Sequence, residues 1–153
     1  MEFTNLIKSR HSCRKFSPQE VSQDLLNELI EQAKLAPSSR NKKPVQFYPL
    51  TDKSLLEKLS LAKKSGSDFV KNGAAAIVVA CDSEKSDVWI EDGAIAMTYL
   101  HLAAENAGLG SCWVQLRNRT TPTGSDSSRY VKELLKLEEK MEVLAILSLG
   151  NKA

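Results

Sequence analysis

An unbroken apolar run at residues 74–81 (A-A-A-I-V-V-A-C) limits the possible folds of this chain more than any other feature. Such a run is typical of a β-strand that is buried on both faces. The longest helical pattern of the chain follows it at residues 86–108, and its apolar residues cover more than one face. A helix of that kind packs in the centre of a fold or against a second subunit. The sequence therefore predicts a buried strand and a long central helix.

Other segments complete an alternation of helices and strands. Helical spacing of apolar residues predicts helices at 4–9, 22–36, from 51 onward and near 127–137, and apolar segments predict strands at 45–50, 111–115 and 144–149. We expect Thr4 and Ser22 to be N-caps, and Gly108 and Gly110 to end the long helix by adopting positive φ. The predicted fold class is α+β (α/β-like), with residues 1–153 forming one domain around a central sheet of about four strands flanked by helices.

Composition excludes several classes of protein. A formal net charge of +2 is too small for a dedicated nucleic-acid surface. The first residues lack the apolar run of a signal peptide, and no stretch is apolar enough to span a membrane. The three cysteines form no C-x-x-C pair and are typical of reduced thiols, so we expect a cytoplasmic protein. The two histidines, His11 and His101, lie far apart, which argues against a metal site.

A dense basic cluster precedes the first strand. Residues 7–16 read I-K-S-R-H-S-C-R-K-F, which places Lys8, Arg10, His11, Arg14 and Lys15 within eight positions. Arginine presents a fork of donors that fits phosphate oxygens, so these side chains can converge on one anion. Alternatively, the cluster is the solvated basic end of a short helix, and for the cluster considered alone this is the more common case.

Several familiar catalytic sites are excluded. The segment G-L-G-S-C-W from Gly108 lacks the third glycine of a dinucleotide-binding fingerprint and follows a helix instead of a strand. Neither a phosphate-binding G-x-x-x-x-G-K-[ST] loop nor a G-x-S-x-G nucleophile motif occurs. Cys112 and His101 lack an orienting partner in the sequence, so a structural thiol and a helix-face histidine are favoured over a nucleophile and its base.

A series of short motifs nevertheless agrees in order and spacing with a known family over nearly the whole chain. The motifs are Arg10-His11-Ser12-x-Arg14 with Phe16, Ala36-Pro37-Ser38-Ser39-Arg40-Asn41-x-x-Pro44, Glu91-Asp92-Gly93-Ala94, Gly108-Leu109-Gly110-Ser111-Cys112-Trp113, and Leu149-Gly150. In this order they resemble the nitroreductase family of FMN-dependent oxidoreductases, of which this chain looks like a compact member with a short C-terminus. Each motif alone is weak, and the combination carries the resemblance.

The resemblance implies a homodimer that binds FMN at the subunit interface, with the long helix at that interface. The residues that match the flavin-holding segment of the family are Arg10, His11, Ser12 and Arg14. The residues that match the loop offered to the partner's flavin are Pro37, Ser38, Ser39 and Asn41. The residues that match the stretch beside the isoalloxazine ring, where backbone N–H groups serve the flavin N5 and O4 edge, are Trp113, Val114 and Gln115.

Charge suggests separate roles for the two arginines. The ribityl phosphate is nearly dianionic and calls for Arg10, with Ser12 or backbone donors beside it. Reduced flavin carries negative charge near N1 and the C2 carbonyl, and Arg14 is the candidate that stabilises it there.

The function implied is an FMN-dependent oxidoreductase that transfers hydride from NAD(P)H, through flavin N5, to nitroaromatic, quinone or related electron-accepting small molecules in a ping-pong mechanism. The flavin carries the chemistry, and no further catalytic residue is expected. One alternative is a flavin-binding or flavin-storing protein with little turnover. Another is a module that binds phosphoanions without flavin.

The chain also departs from the family pattern. Lys43 and Val45 stand where the family often has Gln and Trp, and Lys43 is expected either to add a cation at the phosphate or to face solvent. Larger members continue past the last strand with basic residues that reach the phosphate, whereas here Lys152 alone follows it. Lys71, Lys42 or Lys43 would have to replace that contribution, or FMN would be held more weakly.

Overall fold

In the computed structural model, which describes residues 1–153, the apolar run forms one of the two central strands of a sheet. The strands are β1 (Val45–Leu50), β2 (Ala75–Asp82), β3 (Leu109–Gln115) and β4 (Met141–Asn151). Their order is β1-β2-β4-β3, and every neighbouring pair is antiparallel. The four-stranded sheet is therefore as predicted, and its antiparallel pairing makes the fold α+β.

Helices cover both faces of the sheet. They are α1 (Phe3–Ser9), α2 (Gln23–Ala33), α3 (Lys53–Ser60), α4 (Trp89–Asn106) and α5 (Ser127–Leu134), with short 3-10 turns at Ser39–Asn41 and Asp68–Asn72. None of them combines the length and the apolar character needed to cross a lipid bilayer.

Strand β2 divides the hydrophobic core into two layers. Its residues from Ala75 to Ala80 are all fully buried, and they alternate between the two faces of the sheet. Ile77 packs on the face covered by α2 and α4, whereas Val78 packs on the face covered by α3 and α5. Burial on both faces is what the unbroken apolar run predicts.

Some helix ends differ from the predictions. Thr4 is not the N-cap of α1, because the Glu2 carboxylate accepts hydrogen bonds from the backbone N–H groups of Thr4 and Asn5. Ser22 does cap α2, through a bond from the Leu25 N–H. That helix ends at Ala33, earlier than predicted, because the chain tightens into turns before Pro37.

The two glycines after the long helix have different roles. Gly108 has the expected positive φ of 80°. Gly110 lies inside β3 instead, and a Cβ atom there would come within 2.6 Å of the Cys13 sulfur. The expectation that Gly110 ends the helix is therefore wrong: close approach of a neighbouring segment is what requires glycine at this position.

Candidate functional site

Beyond Lys8, the basic cluster lies along the edge of the sheet, in a segment of residues 10–17 that we call the basic arm. The arm pairs with β3 through a parallel bridge between Ser12 and Ser111, and the Cys13 N–H donates to the Ser111 carbonyl at 2.8 Å. Further along, the Ser17 N–H donates to the Asn151 carbonyl at 2.8 Å. Lys8 lies in the last turn of α1 and Arg10 is its C-cap, so this part of the cluster is a helix end, whereas the backbone bonds fix the later residues against β3 and β4.

Arg10 is anchored to a buried histidine on α4. Its Nη1 lies 3.1 Å from Nε2 of His101, and Nδ1 of His101 lies 2.6 Å from Oγ of Ser111. Burial and then the positive charge of Arg10 lower the pKa of His101 to about 4. His101 is therefore neutral at physiological pH, and its contacts exclude the nucleophile–base pairing with Cys112. His11, by contrast, is exposed, with Nδ1 2.9 Å from the Ser9 carbonyl.

Arg14 belongs to a second group of positively charged side chains. Its guanidinium lies 5.9 Å from the centre of the Phe69 ring. Burial and the charges of Arg119 and Arg14 lower the pKa of Lys63, while burial raises the pKa of the Cys112 thiol against the opposing effect of Arg14. We call Arg14, Lys63 and Arg119 the cationic cluster.

Sequence reasoning missed Lys63 and Arg119. Lys63 stands in a weakly amphipathic segment, and Arg119 stands in a polar loop. The only sign in the local sequence is a second basic residue nearby: Lys64 follows Lys63, and Arg117 precedes Arg119 by two positions. Nothing in sequence spacing brings these segments beside Arg14. The tertiary fold brings the two segments together, and the Lys64 N–H donates to the Thr120 carbonyl at 2.9 Å.

No carboxylate neutralises these cations. Arg10 and the cationic cluster are absent from the ion pairs of the chain. Two other lysines considered for the phosphate are engaged elsewhere: Lys152 contacts the buried Glu105 carboxylate at 3.2 Å, and Lys71 contacts Asp68 at 2.8 Å. Arg10 and the cationic cluster therefore keep their positive charge on the arm and beside it.

The loop that contains Pro37, Ser38, Ser39 and Asn41 is attached to the start of α4. The buried Asp92 carboxylate accepts from the Ser39 N–H at 2.8 Å and from the Ser86 hydroxyl at 2.7 Å. Arg40 and Asn41 have φ values of 52° and 55°. Positive φ is unfavourable for residues with a Cβ atom, so the loop is held in its conformation by these contacts.

Lys43 faces solvent, which is one of its two expected placements. Its ammonium group donates to the carbonyls of Lys34 and Ala36, each at 3.2 Å. A lysine in this position satisfies carbonyls left free at the end of α2. Lys43 therefore stabilises the base of the loop.

The predicted residues of β3 lie at the edge of the sheet. The Val114 side chain is buried in the core, and the Trp113 indole donates to the Gln115 side chain at 2.9 Å. Because β3 is an edge strand, its outer side, which faces away from β4, pairs with the arm only near Ser111 and has no strand partner beyond that point. Backbone groups, more than side chains, are what this stretch can offer to a ligand.

Within one chain, the two halves of the predicted site, the arm and the loop, lie apart. The loop is attached at Asp92 and the arm is attached at His101, which lie about 14 Å apart along the axis of α4. A cavity of about 730 Å³ is lined by the arm from Arg14 to Ser17 but shares only Arg14 with the predicted site residues. The arm and the loop thus do not enclose one pocket within one subunit.

An apolar face is exposed on α1 and α4. The large apolar side chains exposed there are Met1, Phe3, Ile7, Ile95 and Tyr99. A groove of about 420 Å³ runs between the two helices. Contiguous exposed apolar surface of this kind is typical of an interface with another protein chain.

Comparison with known proteins gives a consistent result. The chain matches the family model described as "Nitroreductase family" over residues 7–80 and 61–151. A protein of Archaeoglobus fulgidus with the provisional name NADH dehydrogenase/NAD(P)H nitroreductase is 32% identical over 153 residues, which span 97% of this chain and 84% of that protein. A similarly named protein of Methanothermobacter thermautotrophicus is 28% identical, over 100% of this chain and 78% of that protein.

Solved structures have the same fold. A structure described as an FMN-dependent nitroreductase from Clostridium difficile superposes with a TM-score of 0.94 at 40% identity, and the match covers 98% of this chain and 87% of that one. A structure from Parabacteroides distasonis superposes with a TM-score of 0.89 at 30% identity, over 97% and 86% of the two chains.

Proposed function

The chain belongs to the nitroreductase family, and from that membership we propose that it is an FMN-dependent oxidoreductase that takes reducing equivalents from NAD(P)H. Residues 1–153 form one FMN-binding domain. Its free cysteines fit a reducing compartment, and we assign it to the cytoplasm.

The chemistry of the donors in the site fits FMN. The arm offers cations and hydroxyl groups without a neutralising carboxylate, and this suits the phosphate as well as the electron-rich ring. Arg10 and Arg14 are separated by up to about 14 Å of chain, enough to serve opposite ends of one ligand. We assign Arg10, His11 and Ser12 to the phosphate end and Arg14 to the ring.

The site is completed by a homodimer. The exposed apolar face of α1 and α4 supports an interface between two copies of the chain, since burying it removes apolar area from water. Each site then combines the arm and the β3 edge of one subunit with the loop of the other, whose members are Pro37, Ser38, Ser39 and Asn41. This arrangement accounts for the separation of arm and loop within one chain.

The protein residues bind and tune the cofactor. When bound, FMN supplies the hydride chemistry, and the chain supplies position, charge and access. The cationic cluster stabilises negative charge that develops at its end of the site. Along Trp113, Val114 and Gln115, the backbone N–H groups on the outer side of β3, away from β4, are offered to the ligand. No side chain of the site is required as a general acid, so solvent provides protons.

Two substrates use this site in turn. NAD(P)H binds, is oxidised and leaves, and an electron-accepting small molecule then occupies the same place. We propose nitroaromatic compounds, quinones and related acceptors, because their reduction requires no substrate-specific acid or base from the protein. Alternate use of one site makes the kinetics ping-pong and removes the need for a separate nicotinamide-binding fold.

The observation that carries this proposal is the set of unneutralised cations, Arg10 and the cationic cluster, on a segment fixed to the sheet edge. Steady-state rates measured at several fixed acceptor concentrations test the shared site. Parallel double-reciprocal lines against NAD(P)H are expected. Intersecting lines would show that both substrates bind together and would contradict the ping-pong scheme.

A further inference from the structure

His101 is a buried polar side chain to which the proposed function gives no role. It projects from α4, is 7% exposed, and touches two residues of the site edge, Arg10 and Ser111. An apolar residue would fill such a helix position at lower cost, because a buried imidazole must find partners for both of its nitrogens. Both partners are present here, which indicates that the imidazole has a specific task.

The hydrogen-bond pattern determines how the imidazole is protonated. Arginine can only donate, so Nε2 of His101 must accept from Arg10 at 3.1 Å. The proton of the neutral ring then resides on Nδ1, which donates to the Ser111 hydroxyl at 2.6 Å. The lowered pKa of His101 agrees with this neutral form. Ser111 also accepts from Cys13 through its carbonyl, so one residue of β3 positions both the relay and the arm.

We propose that His101 and Ser111 form a neutral hydrogen-bond relay that fixes the Arg10 guanidinium in place for the phosphate of FMN. His101 is thereby a positioning residue that makes the protein prefer FMN to the phosphate-free riboflavin. The inference rests on the proposed function, in which Arg10 binds that phosphate.

A neutral acceptor suits this task better than a carboxylate. A carboxylate beside Arg10 would orient it but would also neutralise it and compete with the phosphate. The imidazole occupies one N–H of the guanidinium and leaves its full positive charge and its other donors free. Glu105, the carboxylate nearest along α4, is paired with Lys152 instead. Holding Arg10 in advance also reduces the side-chain entropy lost when the ligand binds.

The test compares FMN and riboflavin binding to apoprotein by titration of flavin fluorescence. His101→Leu is expected to weaken FMN binding about tenfold and to leave riboflavin binding unchanged, because only FMN uses Arg10. His101→Gln, whose amide oxygen can still accept from Arg10, is expected to retain most of the preference for FMN. Equal weakening of both ligands, or of neither, would overturn the relay. Retained preference in the leucine variant would overturn it too.

A double-mutant cycle separates this inference from the proposed function. In an Arg10→Ala background, His101→Leu is expected to have no further effect on FMN affinity, and an additive effect would overturn the relay. Ser111→Ala, which removes the partner of Nδ1, provides a second variant and is expected to weaken FMN selectively. If Arg10→Ala weakens FMN and His101→Leu does not, the relay fails while the proposed function stands. If the unmodified chain binds neither flavin, both fail.

Discussion

The Asp92 carboxylate accepts the backbone N–H of Ser39 at 2.8 Å and so ties a strained loop to the first turns of α4. The same carboxylate accepts the Ser86 hydroxyl at 2.7 Å. Asp92 is buried. Burial of the Cys81 thiol and, to a smaller extent, the charge of Asp92 raise the pKa of Cys81 to about 12. A loop that we propose to serve the site of another subunit must keep its shape before that subunit binds, and this contact provides the constraint.

Asp92→Ala is expected to release the loop. The variant leaves the Ser39 N–H and the Ser86 hydroxyl without their acceptor, which costs about 3 kcal/mol of unfolding free energy in a urea titration. Trypsin should then cut faster after Arg40. Glu91→Gln, at the exposed neighbouring carboxylate, is the matched control and should change neither quantity. Unchanged cleavage in Asp92→Ala would show that the loop holds its shape without Asp92.

Gly110→Ala is expected to displace the basic arm. The added Cβ would lie 2.6 Å from the sulfur and 2.9 Å from the Cβ of Cys13. We expect a loss of about 1–3 kcal/mol in stability and a clear drop in FMN affinity, because the arm must move away from β3. Replacing Cys13 by Gly in the same protein removes both clashing atoms and should restore binding. Failure of this second change to restore binding would place the defect elsewhere.

Acid should weaken the fold through His101. Its pKa falls from 6.5 to about 4 on folding, so between those pH values the unfolded chain takes up a proton that the folded chain does not. The contribution is complete above pH 6.5 and is lost as the pH falls to about 4, at a cost of roughly 3 kcal/mol. Arg10 and His11 add to the effect of burial, and Glu105 opposes it. Urea unfolding of the protein and of His101→Leu at several pH values measures this directly, and parallel stability curves would contradict it.

Arg10 and Arg14 should differ in what they control. Arg10→Ala is expected to weaken FMN binding at least tenfold with a smaller effect on the rate of flavin reduction in saturated protein. Arg14→Ala should slow that reduction at least tenfold with a smaller loss of affinity. Titration followed by rapid-mixing reduction separates the two quantities. Equal effects of both substitutions on both quantities would refute the division of roles.

Local signals predicted much of the fold. The apolar run that became β2, the Ser22 cap and the position of β1 depend on residues close together in sequence. Helix ends were less predictable, as at Thr4, because the side chain that caps the helix was Glu2. The antiparallel strand order required pairing between segments far apart in the chain, which spacing alone does not specify.

For the site as well, features that depend on nearby residues could be predicted from the sequence, and features that depend on distant residues could not. The arm and the loop were predicted as parts of the site from motifs within short segments, and this assignment stays a prediction. Lys63 and His101 were not, because each owes its place to packing against residues distant in the chain. The solvent-facing position of Lys43 was predicted, but its carbonyl partners were not, since their availability depends on where α2 ends.

The central claim is that this chain holds FMN and reduces it with NAD(P)H. The most direct test is to load apoprotein with FMN, remove free flavin by gel filtration, and mix the complex anaerobically with NADH and then NADPH. We expect the visible flavin absorbance to bleach within seconds with at least one of the two and to return when an acceptor such as a quinone is added. A protein that emerges colourless from the column, or a yellow one that neither donor bleaches, would contradict the account.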